Sequence, residues 1–159
     1  MIKTLIFSTL FMLNSSAKTI HFSEEKYYEA LEKSFSQEGN ITFSDESIEI
    51  VYFEDKRKLL YTEDQLKIDK EGEKKTIDLS DKPEISIFFK LFRAIYFNDQ
   101  ETLNTFFTTE KLKELTILSP LPLIAKHIKK VNYKKTEKKL IFLDILFSSE
   151  DRIHIEELD

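Results

Sequence analysis

Apolar and polar residues alternate along most of this chain with a period of two, and one run with the period of a helix interrupts them. From Gly39 onward, Ile41 and Phe43 alternate with polar neighbours, and Ile48, Ile50 and Tyr52 do the same around Glu49. Leu60 leads to a turn at Glu63-Asp64, after which Leu66 and Ile68 alternate with charged residues. Glu71-Gly72 makes a second turn, and Thr76 to Leu79 reads as a short strand. Successive strand side chains point to opposite faces, so the pattern predicts a meander of short antiparallel strands with one wet face and one apolar face.

The interruption is PEISIFFKLFRAIYFNDQETLNTFF, from Pro83 to Phe107. Ile85, Phe88, Phe89, Phe92, Ile95 and Tyr96 recur at the spacing of one helix face. Ile87 and Leu91 fall off that face, so the helix is apolar around most of its girth. Pro83 suits the first helical turn, where its missing N–H costs nothing. Asn98 breaks the run and is placed to cap a second short helix, with Glu101 as the partner in a capping box and Leu103, Phe106 and Phe107 as its apolar side. Such a pair must be wrapped. It either plugs a sheet permanently or covers a cavity.

Strands return afterwards. Leu115 and Ile117 alternate on one face, and Pro120 and Pro122 mark a break. Ile128 to Tyr133 reads as a strand, with Ile128 out of phase with Val131 and Tyr133. Leu140 to Phe147 (LIFLDILF) is apolar enough for a central strand covered on both faces, and Ile153 and Ile155 alternate in the last segment. The early stretch Ile20 to Phe35 is ambiguous. Ser23 as N-cap with Tyr27, Leu31 and Phe35 favours helix locally, while Ile20, Phe22, Tyr28 and Ala30 alternate as in a strand. Strands, then helices, then strands predict an α+β domain whose sheet carries the helices on one face.

Composition sharpens this picture. The chain of 159 residues is one domain's length. Lys3, the apolar run Leu5 to Leu13 and Ser15-Ser16-Ala17 have the form of a secretory leader, residues 1–17, cleaved after Ala17, which leaves residues 18–159 as a single domain. The apolar run is too short for a bilayer span, which takes about 20 residues. No cysteine is present, so there is no disulfide framework, thiol nucleophile, thiolate metal site or lipid-anchor cysteine. The expectation is an exported protein of the periplasm.

Losing Lys3 takes the net charge from −5 to −6, and an acidic exported chain is a poor partner for nucleic acid. The basic stretch Lys126 to Lys139 reads as the solvated side of a strand pair. Only two glycines, Gly39 and Gly72, are present, which excludes a phosphate-cradling loop. His21, His127 and His154 lie far apart, each on an expected strand, and none has a second ligand at metal spacing. Glu24-Glu25, Glu156-Glu157 and Asp144 are carboxylates with no pairing indicated by spacing; Asp144 interrupts LIFLDILF and reads as a solvent-facing or hydrogen-bonded position. Fourteen Phe and six Tyr stand out, with no Trp, and they concentrate on the helices. They suit either a packed core or a Phe- and Leu-lined cavity for apolar ligands.

With those residues in view, the chain resembles the periplasmic outer-membrane lipoprotein carrier proteins, the LolA-like family, as a divergent member. The resemblance spans nearly all of residues 18–159 and rests on FSEEKYYEALEKSFSQEGNITFS, IEIVYFEDKRKLLYTEDQLKI, IFFKLFRAIYFNDQETLNTFF and LTILSPLPLIAKHIKKVNY. It implies a curved, unclosed antiparallel sheet (a half-barrel) with helices covering its concave apolar face, and it implies that Ile20 to Phe35 is extended. It further implies a monomeric carrier that needs no cofactor. Such a carrier takes acylated lipoproteins, or another lipid, from an inner-membrane release transporter to an outer-membrane acceptor. The candidate cavity residues are then Phe43, Ile50, Tyr52, Leu66 and Ile117 from strands, with Phe88, Phe89, Phe92, Ile95, Tyr96, Leu103 and Phe106 from the helices. The chain departs from the family in leaving little room for a strand between Phe107 and Leu115. Nor does it offer an arginine on an early strand to latch a lid: Arg57 falls in a loop and Arg93 on the helix. The alternatives are an exported structural or interaction module with a solid core, and a hydrolase, for which no nucleophile motif exists. No enzyme activity is expected.

Overall fold

Each turn in the two-residue alternation returns the chain beside the strand it has just left. In the computed structural model, which describes residues 17–159, the result is one open, all-antiparallel sheet of eleven strands. The leader read in residues 1–17 lies outside the described residues apart from Ala17. Strands β1 (Lys18–Tyr28), β2 (Lys33–Phe43), β3 (Ile48–Tyr52), β4 (Lys58–Tyr61), β5 (Gln65–Lys70) and β6 (Glu73–Asp78) run outward to one edge. Helices α1 (Pro83–Tyr96) and α2 (Gln100–Phe106) follow. Strands β7 (Phe107–Leu112), β8 (Leu115–Pro120), β9 (Ile128–Lys135), β10 (Leu140–Phe147) and β11 (Arg152–Glu157) then run back from the opposite edge. β11 pairs with β1, so the first and last strands join the two halves and the helix pair links the edge strands β6 and β7.

The extended reading of Ile20 to Phe35 holds, and the local helix signal does not. β1 and β2 pair from Lys18↔Phe43 to Tyr28↔Lys33, and only Glu29–Leu31 form a short 3-10 turn. Pairing along eleven residues gives the backbone a ladder in place of helical bonds and also buries Ile20, Phe22, Ile41 and Phe43, so it overrides local propensity. Gly39 makes this possible. A Cβ there would sit 2.2 Å from the Val51 carbonyl oxygen and 3.0 Å from the Phe22 ring.

Four other expectations need correction. A strand, β7, does occupy the stretch after Phe107, paired with β8 from Phe107↔Pro120 to Leu112↔Leu115, and Phe107 opens it instead of ending the helix. On β8 the buried residues are Thr116 and Leu118, while Leu115 and Ile117 are half-buried, opposite to the expected phase. β10 is buried on one face only: Leu140, Leu143 and Ile145 are inside, whereas Ile141 is exposed. Register shifts at both ends of its pairing with β9 place Leu140 and Leu143, and Ile128 and Val131, inside although each pair is three residues apart. Finally, His127 lies in a turn, not on a strand.

The helices begin and end for identifiable reasons. Pro83 is at the start of α1, with acidic Glu84 in its first turn. Asn98 takes a positive φ of 56°, and the cap of α2 is Asp99, not Asn98. Its carboxylate accepts from the Thr102 N–H at 3.1 Å and the Thr102 hydroxyl at 2.6 Å, which hold its pKa below the ordinary value. The Glu101 backbone N–H lowers the Asp99 pKa as well, but no capping box closes, because the Asp99 N–H donates to the Ala94 carbonyl oxygen at 2.8 Å. Among the described residues, no helix is long and apolar enough to cross a membrane.

Candidate functional site

The two ends of α1 have different surroundings. Toward its C-terminus, Phe92 is wholly buried, and the Phe43 ring meets Phe92 edge-on at 5.4 Å and stacks on Tyr96 at 4.3 Å. Two cations fasten this end. Arg93 donates to the carbonyl oxygens of Ser44 and Asp45 in the β2–β3 turn, the second at 2.7 Å. Lys135 of β9 donates to the carbonyl oxygens of Ile95 (3.2 Å) and Tyr96, at the negative end of the helix dipole. Burial lowers the Lys135 pKa, with the charge on Lys18 acting in the same direction.

Toward the N-terminus, Phe89 stacks on Tyr61 of β4 at 4.3 Å, but Ile85 and Phe88 are only half-buried. They face a cavity of about 490 Å³, within the ~300–1,000 Å³ span of small-molecule sites. Ile50, Tyr52, Leu59 and Leu66 of β3–β5 form one apolar wall and Phe147 and Ile153 another. Glu24, Lys26 and Tyr28 of β1 also line it, as do Lys126, His127, Ser148, Ser149, Asp151 and Arg152.

The expected site residues therefore divide. Ile50, Tyr52, Leu66, Phe88 and Phe89 line this cavity. Phe43, Phe92, Ile95, Tyr96 and Leu103 are packed in the core beyond it. Phe106 and Ile117 are half-buried and do not border the cavity. Sequence reasoning missed Ile85, Leu59, Phe147 and Ile153 as lining residues. It also missed Glu24 as an interior one, although Glu24 is in phase with Ile20 and Phe22 on β1 and is 4 % exposed. Its Oε1 accepts from the Tyr52 hydroxyl at 3.1 Å and lies 3.2 Å from Lys26 Nζ. Burial, then the charge of Glu24, raises the Tyr52 pKa far above its ordinary value, so the phenol stays protonated and donates.

A second, polar cluster occupies the other face of the sheet. On adjacent strands, His154 Nδ1 and Asp144 Oδ1 are 2.5 Å apart, and His154 Nε2 is 3.0 Å from Glu156 Oε1. Burial lowers the imidazole pKa, but the hydrogen bonds to Asp144 and Glu156 outweigh it and the net shift is upward. Asp144 is thus the hydrogen-bonded strand position its sequence context suggests. His21 lies instead by Glu38, at 3.4 Å, and among the described residues no three His, Cys, Asp or Glu side chains are grouped to hold a metal ion. In the basic stretch, Lys129 pairs with Glu150, Lys134 with Glu114 and Lys139 with Asp159, while Lys135 serves α1. Arg57 donates to Gln37 Oε1 at 2.8 Å and stacks over the Tyr52 ring.

No protein-family model matches the chain, and no curated protein matches it.

Proposed function

We propose that this protein is an exported carrier that shelters acyl chains, of lipoproteins or of another lipid, between α1 and the sheet. The observation that carries the reading is the cavity of about 490 Å³ at the N-terminal half of α1, with Ile50, Leu66, Ile85 and Phe88 among its walls. In this reading the sheet is a curved half-barrel and the helices cover its concave apolar side. Burying a methylene gains about 0.8 kcal/mol, so a 16-carbon chain yields on the order of 12 kcal/mol gross. A carrier must release its cargo. Part of that gain is offset by rearranging the N-terminal half of α1, which brings the net affinity within reach of an acceptor. The resemblance to lipoprotein carriers supplies the rest of the proposal. It works as a monomer in the periplasm, is loaded by an inner-membrane release transporter and is unloaded by an outer-membrane acceptor.

The packed C-terminal half of α1 supports a second reading, an exported interaction module whose helices only complete the core. Native mass spectrometry of protein purified from its own compartment separates the two. A carrier holds extractable lipid that Phe88→Glu removes without unfolding the protein. A module carries none, and no fatty-acyl compound raises its melting temperature.

A further inference from the structure

The floor of this cavity is not uniformly apolar. Glu24 is 4 % exposed and borders the cavity. The Tyr52 hydroxyl and the Lys26 ammonium both approach its Oε1, and no donor among the described residues reaches Oε2. Tyr52 and Gly39 are paired across β2 and β3, and Glu24 is opposite Gln37 on β2. The carboxylate is therefore held by two strands and by its two partners, and cannot easily turn away. Oε2 is not among the buried side-chain atoms left without a partner, so it stays open to solvent; a ligand that covers it without a donor strips that hydration, and one that supplies an N–H replaces it. Ile50, Leu59, Leu66, Ile85 and Phe88 offer apolar wall to the rest of such a ligand.

We infer that Glu24 Oε2 is the polar recognition point of the cavity and selects an acyl ligand with an N–H donor next to its chain, such as a secondary amide, over one that lacks the donor. The inference rests on the acyl-chain reading of the cavity and names the chemistry of its cargo. An acceptor fixed in an apolar site rejects an analogue without the donor, because the acceptor is then left unpaired.

Two uncharged probes of equal chain length test this on the unaltered protein: N-methyldodecanamide, which has one N–H, and N,N-dimethyldodecanamide, which has none. Isothermal titration is expected to show the N-methyl amide binding about tenfold tighter. Glu24→Gln, which keeps the side chain's shape with a weaker, uncharged acceptor, is expected to narrow the gap, with Tyr52 still supplied with a partner. Equal affinity of the two amides for the unaltered protein overturns the inference and leaves the acyl-chain cavity standing. Failure of both amides to bind overturns both. The comparison on the unaltered protein decides even where Glu24→Gln does not fold.

Discussion

The two halves of α1 are built from the same kinds of residue and have different surroundings. The C-terminal half is buried against Phe43, with Arg93 and Lys135 fastening it to the β2–β3 turn and to β9. The N-terminal half has one aromatic stack, Phe89 on Tyr61, and turns Ile85 and Phe88 to a cavity. Apolar residues at helical spacing are thus compatible with either a core or a ligand site. What separates them is the fit of the opposite surface and the polar fastenings at each end.

If that contrast is right, truncations along α1 should shift from costing stability to costing ligand affinity. Phe92→Ala is expected to have the largest effect on stability, about 3–5 kcal/mol by urea denaturation, because Phe92 is fully buried. Removing the fastening with Lys135→Met should cost less, about 1–2 kcal/mol, and should raise amide hydrogen exchange at Ile95–Asn98 before it does so at Pro83–Phe88. Phe88→Ala should lower stability by less than about 1 kcal/mol, since its side chain is only half-buried. It should weaken binding of a fluorescent fatty-acyl probe about tenfold. A Phe88→Ala protein as unstable as Phe92→Ala would mean that the two halves are one core.

The smallest effect lies away from α1 and serves as a reference. The folded-state pKa of His154 is raised by Asp144 and Glu156. Its stabilising contribution is therefore fully present below the unfolded value of about 6.5 and is lost as pH rises through the raised folded value. The urea midpoint of the parent should exceed that of His154→Gln at pH 5, and the difference should shrink on going to pH 8. The ring is 40 % exposed, so solvent screening keeps the effect small. Acyl-probe affinity should not follow it, because His154 does not border the cavity.

Much of this architecture can be read from two-residue alternation, because a sheet with one buried face writes that period into Ile41, Phe43, Ile48, Ile50 and Tyr52. It becomes illegible where the backbone shifts phase. The register shifts in the β9–β10 pairing make LIFLDILF look apolar on both sides, although Ile141 is exposed. β7 escaped because FTTEKL buries only Phe107. Asn98 and Asp99 are neighbouring cap formers, and the φ of 56° at Asn98 together with the Thr102 bonds to Asp99 decides between them. In the site, aromatic content identified α1 but could not say which half was packed, since that depends on Arg93, Lys135 and Phe43 meeting across long stretches of chain. Glu24 was legible in principle. A carboxylate two residues after Phe22, in the inward phase of a strand, must find partners inside, and Tyr52 and Lys26 are those partners.

In the proposed function, the N-terminal half of α1 and the β3–β5 wall border a site for an acyl chain. The most direct measurement is equilibrium binding of a fluorescent fatty-acyl probe to the parent protein, to Phe88→Glu and to Ile50→Glu, with folding of each followed by circular dichroism. Saturable binding to the parent and its loss in both folded variants are expected. No binding to the parent, or undiminished binding to either folded variant, would contradict the proposal.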